Sequence, residues 1–137
     1  MPPEVDAAVL RSVPHRAPIL RVHRVLARDG NRVRTAGREP DGPGALPWAA
    51  GAIEGMAQTA ALLGSPADAA PRAQAPRGML VAVKRLRVHE TPPPGAEIHY
   101  AVEMVRRFGP TALLRGTAEC QGRLLASGEL TLWSAEA

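Results

Sequence analysis

A single carboxylate stands in the middle of the most apolar stretch of the sequence. Residues 44–64 read GALPWAAGAIEGMAQTAALLG, with Glu54 near the middle and Gln58 one helical turn later. An unpaired carboxylate in apolar surroundings costs several kcal/mol or changes its protonation state. Glu54 is therefore interpreted either as a group that performs acid–base chemistry or as a structural residue paired with Lys84 or Arg85. Gln58 is expected to form a hydrogen bond between the helix and a strand.

The segments around this helix read as antiparallel strands. Alternating apolar residues and turn residues predict six of them, at 19–28, 31–39, 79–90, 97–107, 111–120 and 123–133. Asp29-Gly30 predicts a tight hairpin turn between the first two strands. The helix is predicted over 47–63, with Pro47 in its first turn and Gly64 after its end.

The order of these elements predicts the fold class. A helix that is apolar nearly all round has to be covered on most of its sides, and a strongly curved antiparallel sheet can do this. We therefore expect an α+β hotdog fold, with five to seven antiparallel strands around one long central helix, in a single domain covering 1–137. In the last strand, alternation predicts that the residues facing inward are Leu124, Ala126, Leu130 and Leu132.

Length and composition exclude several classes of protein. The 137 residues are 45% hydrophobic, which argues against intrinsic disorder. No uninterrupted apolar run is long enough to span a membrane, and the first residues do not form a secretory signal. We therefore expect a cytoplasmic protein that does not bind membranes. Cys120 is the only cysteine, which excludes an internal disulfide and argues against a cysteine-based metal site.

The charged residues narrow the choice of partner. The formal net charge is +4, and all the basic residues except Lys84 are arginines. The sequence contains only four aromatic residues, too few for base-stacking platforms, so nucleic-acid binding is not expected. A mildly basic surface suits an acidic macromolecular partner. No metal and no cofactor are expected.

Several segments together resemble one family. They are VPHRAPILRVHRV at 13–25, AIEGMAQTAA at 52–61, VKRLRVHETPPPGAEIHYAVEMVRRFG at 83–109 and ECQGRLLASGELTLW at 119–133. In order and spacing they resemble the hotdog-fold 3-hydroxyacyl-acyl-carrier-protein dehydratases, and among these the type found in aryl-polyene pathways. The helix motif AIEGMAQ is fairly specific, whereas the strand segments are generic for hotdog proteins.

The resemblance implies a reaction and roles for particular residues. A hydro-lyase of this family removes water from a 3-hydroxyacyl thioester to give a trans-2-enoyl thioester. The carboxylate that matches Glu54 acts on the leaving hydroxyl. Backbone N–H groups at the helix start, from Trp48 to Gly51, polarise the thioester carbonyl. Gln58 belongs to the same substrate-binding stretch. The implied partner is an acyl carrier protein or coenzyme A thioester, and the implied assembly is a homodimer or a heterodimer with a dehydratase paralogue.

One feature departs from the family pattern. The family carries a catalytic histidine in the loop before the helix, and the matching segment here, REPDGPGALP at 38–47, has none. His15 lies in a motif shared with the family and is the candidate base, with a structural role as the alternative. Three functions stay open: dehydratase, acyl thioesterase on the same fold, and non-catalytic acyl-binding subunit.

Overall fold

The chain forms an antiparallel sheet and one long helix within the residues that the computed structural model describes, which are 5–7, 9, 20–40, 46–64 and 77–135. The helix, α1, covers Trp48–Ala61, and a 3₁₀ turn at Leu62–Gly64 follows it. The strands are β1 (Arg24–Asp29), β2 (Arg32–Arg38), β3 (Arg77–Val88), β4 (Glu97–Phe108), β5 (Thr111–Cys120) and β6 (Arg123–Ala135). Their order in the sheet is β1-β2-β4-β5-β6-β3, with every neighbouring pair antiparallel.

The elements correspond closely to those predicted from the sequence. The first hairpin turns at Gly30-Asn31, one residue later than predicted, because Asp29 still pairs with Arg32 at the end of β1. Gly30 adopts a φ of +53°, a conformation that glycine accepts without steric cost. The helix begins one residue later than predicted and passes into the 3₁₀ turn at its end. Six strands lie within the predicted range of five to seven.

Side chains from α1 and from one face of the sheet form the core. The strands that contact α1 are β2, β3, β4, β5 and β6. The larger buried apolar side chains include Val22, Val33, Trp48, Met56, Leu62, Ile98, Tyr100, Leu114 and Leu130. The helix is thus covered mainly by the sheet, as expected for a helix that is apolar on most sides.

One inward position predicted from alternation is wrong. Leu124 is 41% exposed, and Leu125 is buried in its place. In the pairing of β5 with β6, Ala118 lies opposite Ala126 but Glu119 lies opposite Leu124, so β6 carries one extra residue at this point. Such a bulge reverses the alternation of side chains beyond it.

A row of alternating charges crosses the whole sheet on the face opposite to α1. Strand register aligns one residue from each strand, in the order Asp29, Arg32, Glu103, Arg115, Glu129 and Lys84. Arg32 and Glu103 form an ion pair with an N···O distance of 2.6 Å. Glu129 bonds to Arg85, which adopts a positive φ next to a register shift in β3. Each charge in the row has an opposite charge on the neighbouring strand.

Candidate functional site

Gln58 connects the middle of α1 to the segment that precedes β1. Its side-chain Oε1 accepts hydrogen bonds from the backbone N–H groups of Arg21 (2.8 Å) and Val22 (3.2 Å). Its Nε2 donates to Oε1 of Glu54 at 3.1 Å. Because two backbone donors fix the oxygen of the amide, the nitrogen has to face Glu54. Gln58 thus forms the expected hydrogen bond from the helix, and it also orients the Glu54 carboxylate.

Glu54 is half-buried, although it lies in the most apolar stretch of the sequence. The charged side chains that are buried in the described residues are Arg21, 2% exposed, and Glu39, 8% exposed. They form an ion pair through Nη2 of Arg21 and Oε2 of Glu39. Arg85, proposed as a structural partner of Glu54, instead binds Glu129 at 2.8 Å.

The Arg21 guanidinium lies against the first turn of α1. A Cβ atom built on Gly51 would lie 2.8 Å from Nη1 of Arg21, and the Cζ atom of Arg21 is 6.0 Å from the centre of the Trp48 ring. The absence of a side chain at Gly51 therefore makes room for the guanidinium. Burial by itself would lower the pKa of Arg21, but the hydrogen bond to Glu39 and the nearby Tyr100 phenol raise it above its usual value.

Tyr100 occupies the next turn of the same helix face. A Cβ atom on Gly55 would lie 2.6 Å from the Tyr100 hydroxyl oxygen, so this glycine also makes room for a neighbouring side chain. Gly51 and Gly55 are four residues apart and share one face of α1. The two glycines thus accommodate a buried polar cluster of Arg21, Glu39, Tyr100 and Trp48 beside the start of the helix.

The ionisation of Tyr100 tests this burial. Burial raises the pKa of Tyr100 to about 12, against the opposing effect of the Arg21 charge. In the unfolded chain the Tyr100 phenol should ionise near pH 10. Because its pKa is higher in the folded protein, the folded state keeps its full stability below pH 10 and loses part of it as the pH rises to about 12. Tyr100 is the only tyrosine, and tyrosinate absorbance therefore reports this group alone. A titration midpoint near pH 10 in the folded protein would contradict the prediction. The Tyr100→Phe variant, which lacks the phenol, gives the background absorbance.

The histidines do not supply a base beside Glu54 in the part of the chain that the structure describes. His15, the candidate base, lies outside the described residues. His23 is half-buried, and its pKa is lowered by burial and by the charges of Arg38 and Arg24. His99 bonds to Glu97 at 3.0 Å near the surface, and His89 is exposed.

Two charged residues of the buried cluster, Arg21 and Glu39, were not identified from the sequence. Arg21 falls in a predicted strand where basic and apolar residues alternate, and Glu39 falls in a loop rich in turn residues. A signal was present in Gly51 and Gly55, because glycines four residues apart in a helix leave space for large neighbouring groups. That spacing does not identify which groups fill the space.

The described residues contain no group of three or more metal-ligating side chains. Within those residues, no helix is long and apolar enough to cross a membrane. The polar groups beside α1 include one half-buried carboxylate, one amide, one buried ion pair and the backbone donors of the helix start. This arrangement can bind an oxygen acceptor and move a proton.

Solved structures resemble this architecture over most of the chain. The dehydratase heterocomplex ApeI:P from Xenorhabdus doucetiae has a TM-score of 0.76 and 22% identity, covering 93% of this chain and 91% of that chain. A hypothetical thioesterase with coenzyme A from Streptococcus pneumoniae has a TM-score of 0.60 and 12% identity, covering 81% and 84%. These similarities show the hotdog fold.

A third structure points the same way. It is a mutant of the phenylacetic acid degradation protein PaaI from Thermus thermophilus, with a TM-score of 0.57 and 17% identity, covering 82% of this chain and 92% of that chain. No family model and no curated protein matches the sequence. The hotdog fold expected from the order of the sequence elements is thus supported by structural similarity.

Proposed function

We propose that this protein binds acyl thioesters beside the start of α1 and dehydrates 3-hydroxyacyl thioesters, with Glu54 as the catalytic carboxylate. The observation that carries the proposal is the orientation of Glu54 by Gln58, which is itself fixed by two backbone N–H groups. A carboxylate held this firmly can meet a substrate proton in a defined geometry. The similarity to a structure named a dehydratase heterocomplex supports the choice of reaction.

One carboxylate can serve both proton transfers of the dehydration. Glu54 takes the proton from C2, and the carboxylic acid that results then gives that proton to the C3 hydroxyl. The C2–H and C3–O bonds break, the C2–C3 double bond forms, and water leaves. This route requires the proton and the hydroxyl to leave from the same face of the substrate. It provides a base without the loop histidine that the sequence lacks.

The start of α1 would hold the thioester. Pro47 precedes the helix and forms no side-chain cap, and the first turn contains no acidic residue. Backbone N–H groups of a first turn attract an oxygen that gains negative charge, because the helix dipole is positive there. The thioester carbonyl becomes enolate-like when C2 loses its proton, so the backbone N–H groups of Trp48, Ala49 and Ala50 would stabilise that charge. The N–H of Gly51 is not available for this, because it donates to the Pro47 carbonyl at 2.9 Å.

Thioester hydrolysis is the second candidate. Attack of water on a thioester carbonyl requires one base, so a single oriented carboxylate is sufficient chemically. The similarity to a structure named a hypothetical thioesterase and containing coenzyme A favours this alternative. The two reactions would use the same oxyanion donors and differ in the bond that breaks.

An assay on the purified protein separates these functions. Incubation with 3-hydroxydecanoyl and decanoyl thioesters of coenzyme A and of an acyl carrier protein is expected to give the enoyl product from the hydroxylated substrate. Release of free thiol from either substrate would instead support the thioesterase. Binding without either product would support a non-catalytic acyl-binding subunit.

We also propose that the chain acts as a dimer. β3 is an edge of the described sheet, and its Met79 and Val81 are 62% and 59% exposed. An open edge with apolar side chains tends to pair with another strand. A second copy or a dehydratase paralogue would cover it. Light scattering should therefore give a mass near twice that of the 14.5 kDa chain. When a paralogue is co-expressed, the expected mass is the sum of the two different chains, and the mass of one chain would contradict pairing.

A further inference from the structure

Two buried hydrogen-bond donors lack acceptors beside the first turn of α1. They are Nε of Arg21 and Nε1 of Trp48, and the described residues give neither atom a partner. Arg21 is 2% exposed and Trp48 is 7% exposed. A buried donor without an acceptor carries an energetic penalty, so such atoms in a folded protein call for an explanation.

Both donors lie near the first turn of the helix. Helical side chains lean toward the helix N-terminus, and Trp48 is the first residue of α1. The Arg21 guanidinium lies close to the Trp48 ring and over Gly51, so both side chains belong to the same small region. Pro47, Ala49 and Ala50 are exposed, which places this region next to the surface. The two side-chain donors therefore lie in the same small region as the free backbone N–H groups of the helix start, close beneath the surface.

We propose that the carbonyl oxygen of the acyl thioester accepts a hydrogen bond from the Trp48 indole N–H, supported by Nε–H of Arg21. This inference rests on the proposed function, and it adds two side-chain donors to the backbone donors of the helix start. Trp48 and Arg21 would then help to select the ligand by its carbonyl group. Binding of the substrate would give these two donors their hydrogen-bond acceptor.

The charge of the cluster favours a neutral oxygen. Nη2 of Arg21 is already bound to Glu39, so the positive charge of the guanidinium is neutralised locally. A free carboxylate would bring a permanent second negative charge beside Glu39, and like charges in a buried region repel. The charge on the thioester oxygen is partial and develops only during the reaction, next to donors that can stabilise it. The site should therefore prefer a thioester to the corresponding free fatty acid.

Binding measurements with matched ligands test the proposal. Decanoyl-coenzyme A carries the carbonyl, S-decyl-coenzyme A is a thioether without it, and decanoate carries the charge. Trp48→Phe keeps an aromatic ring and removes the N–H. We expect the variant to bind decanoyl-coenzyme A about fivefold to tenfold more weakly, the effect of one hydrogen bond, and to bind the thioether as the parent protein does. Arg21→Lys keeps a cation beside Glu39. It should weaken the binding of decanoyl-coenzyme A by a smaller factor than Trp48→Phe does, and it should leave the binding of the thioether unchanged.

A spectroscopic measurement on the unaltered chain makes the test independent of variant folding. The sequence has two tryptophans, Trp48 and Trp133, so the NMR spectrum of the isotope-labelled protein contains two indole N–H signals. The spectrum of Trp133→Phe shows which signal belongs to Trp48. Decanoyl-coenzyme A should shift the Trp48 signal downfield, as expected when an N–H gains an acceptor. The thioether should not produce that shift, and the exposed Trp133 serves as the internal reference.

Each outcome decides the inference. If Trp48→Phe loses the same affinity for the thioester and for the thioether, Trp48 contributes only through packing, and the proposal is overturned. An indole signal that responds to neither ligand would indicate that buried water satisfies these donors, and it would overturn the proposal too. If the unaltered protein binds neither the coenzyme A ligands nor decanoyl-acyl carrier protein, the proposed function itself is overturned, whereas the first two outcomes leave it standing.

Discussion

Replacing Glu54 with glutamine is expected to lower the turnover of 3-hydroxyacyl thioesters by roughly two or more orders of magnitude, as for other acid–base groups. The amide keeps the shape of the side chain but cannot accept and return the C2 proton. The Gln58 amide would still find an oxygen acceptor at position 54. The melting temperature should therefore change little, and turnover and melting temperature should be measured on the same preparation.

Two further variants serve as controls for this experiment. Glu103→Gln makes the same chemical change on the opposite face of the sheet and should leave turnover unaffected. His15→Ala tests whether a histidine serves as the base, and the single-carboxylate route predicts that turnover is retained. A Glu54→Gln variant that melts at a much lower temperature, with unchanged turnover per folded molecule, would show that Glu54 is structural.

Replacing Glu39 with alanine is expected to produce the largest loss of stability, about 3–5 kcal/mol. The substitution leaves the Arg21 guanidinium buried without its carboxylate partner, and α1 and the sheet prevent it from reaching water. The free energy of unfolding, measured by denaturant titration, should fall accordingly. Matched removal of Glu103, whose pair with Arg32 is largely exposed, should cost less than about 1 kcal/mol.

A double variant distinguishes a buried charge from a general packing defect. Arg21→Met with Glu39→Leu removes both charges and keeps apolar volume, so most of the lost stability should return. If the double variant is no more stable than Glu39→Ala, the loss arises from packing and not from the unpaired guanidinium. The result would then weaken the argument that this pair organises the start of α1.

The fold was largely predictable because its signals are local. Asp29-Gly30 identifies a hairpin through the backbone conformation that glycine permits, and the long apolar helix requires a sheet around it. The direction of side chains in β6 was less predictable. Positions 124 and 125 both carry leucine, so the residue type does not indicate which of the two side chains faces inward. The bulge that decides between them arises from pairing with β5, which a local pattern does not contain.

The candidate site was predictable only where one residue type stands out from its surroundings. Glu54 is conspicuous in an apolar helix, and its neighbour Gln58 has the helical spacing for a contact. Arg21 and Glu39 are conspicuous only after folding, because the chain between them forms a hairpin that brings them together. The position of the Arg21 guanidinium depends on Gly51, and a sequence pattern cannot specify which side chain will lie over a glycine.

The alternating charges across the sheet also bear on how the strands find their partners. β1, β4 and β6 contribute acidic residues to that row, whereas β2, β5 and β3 contribute basic ones. Placing two strands of the same group side by side in this alignment would oppose like charges, which disfavours the pairing. Exposed ion pairs add little to the final stability, so the main effect of the row is on the choice among competing strand orders during folding. High salt should weaken that discrimination while leaving the finished sheet almost equally stable.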